Sequence, residues 1–145
     1  MKLKAANVIL FIEPENKKAE VPIIDDLTRK IAYALSLSDI MYVVSPQVNP
    51  INGMADVAIS ACFGKHKCIC EAWSACHDFE IVREQLYTNS LAAHYVAYHR
   101  DEVPVEDLER VAKLPDPPAD FQPTDGMLNG QFDQPQWMWG LRGMN

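Results

Sequence analysis

Two groups of residues in this chain combine types and spacing that could do chemistry. The first centres on Asp56, which follows the loop Gln47 to Gly53 and opens a short apolar segment, Met54 to Phe63, that ends at Gly64. The order of apolar run, irregular loop, helix-like segment and second apolar run reads as strand, loop, helix, strand. That order places Asp56 in a first helical turn above the carboxyl ends of the strands, where open α/β sheets bind ligands. Asn49, Asn52 and Gly53 in the same loop are the candidate substrate-binding positions.

The second group is Cys62, His66, Cys68, Cys70, Cys76 and His77, a dense set of soft ligands. Thiolate and imidazole are what tetrahedral zinc selects. The spacing argues otherwise, because there is no Cys-x-x-Cys. With Lys67 to Ala72 read as a strand, His66, Cys68 and Cys70 would line one face about 6.5 to 7 Å apart, too far for one ion. Metal ligation and a reactive thiol both remain open, but core packing is the preferred reading, since cysteine commonly fills cores as a small apolar group. Neither a metal nor a cofactor is expected. His94 and His99, with Tyr95 and Tyr98, read as a packed or surface strip.

These residues need a frame. Asn7 to Ile12 is a continuous apolar run closed by Glu13-Pro14, which predicts a buried strand. From Pro22 the period changes: Ile23, Ile24, Leu27, Ile31, Ala34 and Leu35 share a helical face, with Asp25-Asp26 at its positive end. Ile40 to Val44 predicts a second strand stopped by Ser45-Pro46. Ser74 to Tyr87 reads as a helix, Ser90 to His99 fits helix or strand, and Pro104 to Leu114 is helical through Val105, Leu108, Val111 and Ala112. The expected fold is a three-layer α/β domain over residues 1–114, with a mainly parallel sheet flanked by helices in the Rossmann or flavodoxin-like manner. Residues 115–145 hold half of the ten prolines and the pair Trp137 and Trp139, which predicts an extended C-terminal arm packed on its own domain, a neighbouring subunit or another protein.

Composition narrows the partners. A length of 145 residues suits one domain, and a hydrophobic fraction of 48% with 23% charged residues suits a globular chain. The longest apolar run, Val8 to Ile12, is far below bilayer length, and no secretory signal is visible, so no membrane partner is expected. Clustered cysteines without a signal favour reduced thiols in the cytoplasm. The net charge is −7 and the basic residues are scattered, so nucleic acid is not an expected partner.

Asp26-Leu27, Ser38-Asp39-Ile40, Asn52-Gly53, Asp56 and the step Gly64-Lys65 into Lys67 to Cys70 together resemble the nucleoside 2-deoxyribosyltransferase-like family, over roughly residues 21–73. The resemblance implies a nucleoside or nucleotide ligand and displacement at its anomeric carbon. Asp56 would stand at the nucleophile position, Asp26 would supply the second carboxyl group, and Asn89 would hold a sugar hydroxyl from an adjacent subunit of a homo-oligomer. The family uses glutamate as nucleophile. Aspartate is one methylene shorter, moving the attacking oxygen by about 1.5 Å. An N-glycosidic transferase or hydrolase, active or catalytically degenerate, is therefore the first expectation. A non-catalytic assembly or interaction protein, cellular or virus-borne, using its C-terminal arm is the second. An acidic inhibitor that occupies another protein's nucleic-acid site is the third.

Overall fold

The computed structural model describes residues 8–40, 43–48, 55–60, 66–75, 78–81 and 84–132. Helix α1 spans Asp26–Ser36, and its start is set by Asp25, whose side chain accepts a hydrogen bond from the Thr28 amide at 3.2 Å. An aspartate at this position satisfies one of the free amides of the first turn. Thr28, Ile31, Ala32 and Leu35 form the buried face, at the 3–4 residue spacing of an amphipathic helix. Ile23 and Ile24, expected on that face, precede the helix and are exposed.

After α1 the chain forms strand β1 (Asp39–Ile40), then β2 (Val43–Val48) and β3 (Ala55–Ser60), then β4 (Phe79–Ile81) and β5 (Leu86–Thr88). Strands β1, β4 and β5 make an antiparallel sheet in that order, with Ile40 opposite Phe79 and Ile81 opposite Leu86. Strands β2 and β3 pair antiparallel as a separate ribbon, from Val43 opposite Ser60 to Val48 opposite Ala55. Among the described residues every named strand pair is antiparallel, where the sequence reading expects mainly parallel pairing. The parallel contact that is present is a single bridge from Val8 to Tyr87.

Local causes account for the differences. The expected first strand is cut short at Leu10, which has φ 58° and donates its amide to the Asp107 carboxylate at 3.1 Å instead of to a strand. Segment 54–63, expected as a helix, contains β3, because the β-branched Val57 and Ile59 alternate and find a partner strand of similar type. Pro46, expected as a stop, is tolerated inside β2 because a two-stranded ribbon has free edges. The helix expected over Ser74 to Tyr87 is replaced by β4 and β5, with Phe79 and Ile81 buried on alternate positions and a reversal at Gln85, φ 54°.

Helix α2 (Ala92–Tyr98) resolves the ambiguous segment, and all of residues 92–97 are buried, so it is a core helix rather than a surface one. Helix α3 (Val105–Ala112) follows a single 3₁₀ turn at Arg100–Glu102 and begins after Pro104, as the spacing predicts. Ile31, Ala32 and Leu35 of α1, Phe79 and Ile81 of β4, Tyr95 and Val96 of α2, and Val111 and Leu114 form one core with Ile9 and Leu10. The first part of the expected arm belongs to this body. The Arg29 guanidinium donates to the carbonyls of Pro118 and Phe121, Tyr33 meets Phe121 edge-on at 5.0 Å, and Phe132 meets Phe79 at 5.9 Å. Residues 133–145, with Trp137 and Trp139, lie outside the described residues. Among the described residues no helix is long and apolar enough to cross a membrane.

One ion pair ties the start of α1 to the end of α2. Arg100 forks onto Asp25 at 2.8 and 2.7 Å, while its Nε donates to the Val96 carbonyl at 2.8 Å. The guanidinium hydrogen bond, opposed by partial burial and aided by the Thr28 amide, lowers the Asp25 carboxyl from its ordinary 3.8 to about 2. A depressed carboxyl contributes stability that is complete above pH 4 and is lost as pH falls through 2. Asp25→Ala removes both cap and ion pair and is expected to cost about 1–2 kcal/mol in urea unfolding at pH 7. Asp25→Asn keeps the cap, and is expected to lose less and to show a weaker loss of stability between pH 4 and pH 2 than wild type.

Candidate metal centre

The centre begins with a tight hairpin. Lys67 bridges Trp73 antiparallel, the Ser74 amide donates to the His66 carbonyl at 2.8 Å, and the His66 amide donates to the Ser74 hydroxyl at 2.8 Å. Inside these rungs the Cys68 amide donates to the Ala72 carbonyl at 2.8 Å and the Glu71 amide to the Cys68 carbonyl at 2.9 Å. Glu71 closes the reversal with φ 75°, a left-handed conformation that costs a non-glycine residue energy and is held by the surrounding rungs. The Ala75 amide then donates to the Ser90 hydroxyl at 2.8 Å, which fixes the hairpin to the approach of α2.

The hairpin changes what the cysteine spacing means. On a strand Cys68 and Cys70 would stand about 6.5 to 7 Å apart. Here Cys68 opens a turn that contains Cys70, and both thiols point at α2 and its exit. Across from them stand two imidazoles, His94 inside α2 and His99 just past its end. On a continuous helix residues five apart diverge by about 140°. His99 leaves helical geometry, φ −128° and ψ 35°, and the two rings come to 5.1 Å between centroids.

The resulting contacts are short. Cys68 Sγ lies 3.2 Å from His99 Nε2, Cys70 Sγ lies 3.0 Å from His94 Nε2, and all four ligand atoms fall within 4.8 Å of one another. His94 is 0% exposed, His99 4% and Cys68 2%, while Cys70 is half-buried. Tetrahedral zinc with bonds of about 2.0 to 2.3 Å separates its N and S ligands by roughly 3.3 to 3.8 Å. The four atoms therefore reach such a geometry by shifts of the order of an ångström.

Electrostatics point the same way. Burial is the main cause that pushes the Cys68 thiol up to about 11 and His94 down to about 4, and burial also lowers His99. Both imidazoles are thus neutral at pH 7, the form that ligates a metal. The tautomer of His94 follows from its other nitrogen: Nδ1 lies 2.9 Å from the Leu128 carbonyl, an acceptor only, so Nδ1 carries the proton and Nε2 presents its lone pair to the centre. The Cys68 thiol, which burial keeps protonated, would ionise against a divalent cation, whose charge reverses the local preference.

Leu128 is held by a short 3₁₀ turn, Met127–Asn129, closed by Gly130 at φ 83°. A Cβ at Gly130 would stand 2.8 Å from both Leu91 Cδ2 and the Trp73 carbonyl oxygen, so the segment docks between the hairpin and the start of α2 because this position is glycine.

The residues singled out from the sequence lie elsewhere. Asp56 is in β3 opposite Gln47 rather than in a first helical turn. Asp26 does open α1, but its side chain is 87% exposed and stands 3.7 Å from Arg29. Asn89 is buried and its side-chain oxygen accepts from the Leu91 amide at 2.8 Å, forming a local turn at the entry to α2. Asn49, Asn52 and Gly53 lie outside the described residues, as do Cys62, Cys76 and His77. His66, grouped with the cysteines by sequence proximity, packs edge-on against Phe11 at 5.6 Å instead.

No family model, no curated protein and no solved structure matches this chain.

Gly130→Ala must force both the left-handed backbone and the contacts with Leu91 and Trp73, so a loss of about 1–3 kcal/mol in urea unfolding is expected. In the same variant the His94 imidazole loses its fixed acceptor, and the nitrogen chemical shifts of that ring in NMR spectra are expected to report a mixture of tautomers.

Proposed function

We propose that this protein is a metal-stapled, non-catalytic domain whose Cys68, Cys70, His94 and His99 hold one structural zinc ion. The observation that carries this reading is the convergence of four N and S donors within 4.8 Å, three buried and one half-buried, with one imidazole already oriented by a backbone carbonyl. Zinc is favoured over harder cations because the set contains no carboxylate oxygen and two thiols. Four protein ligands complete a tetrahedron and leave no position for substrate, which is the pattern of a structural site; catalytic sites keep one open.

A glycosidic mechanism would require two carboxylates facing one hollow. Asp26 faces solvent beside Arg29, and neither of the described cavities is lined by it. The metal reading also agrees with reduced thiols and hence with a reducing compartment. The role that follows is a scaffold for assembly or interaction, in which the ion supplies the rigidity that short, separate sheets do not.

Elemental analysis of freshly purified protein is expected to find about one zinc per chain, and a chelator is expected to lower the melting temperature. Cys68→Ser and His94→Gln are each expected to abolish stoichiometric zinc. A wild-type zinc content near zero after purification in zinc-supplemented medium would remove the reading.

A further inference from the structure

His99 carries a group whose position is not explained by the four ligands alone. Its Nδ1 is buried and has no hydrogen-bond partner. Glu102 Oε2 stands 3.6 Å from it, just beyond hydrogen-bond range. The other oxygen of the same carboxylate, Oε1, accepts the Glu15 amide at 2.7 Å. One oxygen of Glu102 is thereby fixed to the N-terminal segment, and the second is turned toward the back of the ligand imidazole.

Resting on the metal reading of this site, we infer that Glu102 is a positioning residue of the centre: with the ion on His99 Nε2, its Oε2 accepts the Nδ1 proton and completes a carboxylate–histidine–metal triad. The chemistry leaves little choice. A metal on Nε2 excludes the proton from that nitrogen and obliges Nδ1 to carry it. The proton then sits on a buried donor whose available acceptor is Glu102, and a movement of less than about 1 Å brings N and O to the usual separation. His94 has the equivalent support from the Leu128 carbonyl, so both imidazoles would be held from behind, one by the C-terminal segment and one by a carboxylate tied to the N-terminal segment. The arrangement also suits a carboxylate: the Glu15 amide and the His99 Nδ1–H are both donors, and Glu102 turns a separate acceptor oxygen toward each.

Zinc affinity measured by competition with a chromophoric chelator, together with cobalt(II) absorption spectra, tests this. Glu102→Gln keeps shape and one oxygen but turns a second donor toward one of the two partners. It is expected to weaken zinc binding about 10–100-fold and to alter the cobalt ligand-field bands. Glu102→Asp is expected to fall between Glu102→Gln and wild type, and Asp101→Asn, the neighbouring exposed carboxylate, to match wild type. The melting-temperature difference between wild type and Glu102→Gln is expected with zinc bound and to shrink under chelation, which a purely structural carboxylate would not show. Wild-type affinity and spectrum in Glu102→Gln, with wild-type protein binding zinc normally, would overturn the role of Glu102 alone. Failure of wild type to bind zinc or cobalt would instead remove the metal reading beneath it.

Discussion

The constraint on which this structure depends is the convergence of two buried imidazoles, from one short helix and its exit, with the buried Cys68 thiol and the half-buried Cys70 thiol of one tight turn. Unpaired polar groups in an apolar interior cost about 1–3 kcal/mol each. Here the cost is limited by pairing Cys68 with His99 and Cys70 with His94, and by the Leu128 carbonyl behind His94. A packed aliphatic cluster would fill the same volume without such conditions. Polar groups buried this deeply and this close together restrict where α2, the hairpin and the C-terminal segment can sit, because each displacement breaks a specific pair as well as a packing contact.

Helix α2 is therefore both core and ligand platform. Its seven residues are too few to be stable alone, and its intrinsic pattern is equivocal. What holds it is external. Asn89 caps the turn before it, Arg100 bonds its Val96 carbonyl while gripping Asp25 at the head of α1, and α1 packs Ile31 and Leu35 into the same core. Arg100 is the residue immediately after His99, so the same ion pair that joins two helix ends also fixes the backbone that carries a ligand. Stability and site geometry are linked through this one arginine.

Features set by local periodicity were legible in the sequence, and features set by tertiary partners were not. The α1 face at Leu27, Ile31 and Leu35 and the α3 face at Val111 follow from 3.6-residue spacing over enough turns to be distinctive. The run Met54 to Phe63 has almost no polar face and reads as a short helix, whereas its pairing with β2 places residues 55–60 in β3, a partnership that no local pattern announces. The convergence of Cys68, Cys70, His94 and His99 was hidden for a different reason. Thiols two residues apart imply divergence on a strand and convergence on a turn, and the turn is set by the hairpin's own rungs and a left-handed Glu71, with Ser90 fixing the hairpin to α2. A usable signal was present in Cys-x-Cys followed by a helix-compatible segment with two histidines five apart. It becomes specific only once the end of α2 is known to fall between them.

Sequence separations show why such a centre suits a fold with little regular sheet. The two thiols share a hairpin closed by its own rungs, and the two imidazoles share α2 and its exit, so one closure across the 24 residues from Cys70 to His94 assembles all four ligands. Ordering a loop of that length opposes folding by about 3–4 kcal/mol in the chain-entropy picture. Structural zinc in small peptides supplies an apparent 10–16 kcal/mol at neutral pH. The same closure brings Leu91 and the Trp73 carbonyl to either side of Gly130 and His94 Nδ1 to the Leu128 carbonyl, so the seat of the C-terminal segment is built from the elements that carry the four side chains.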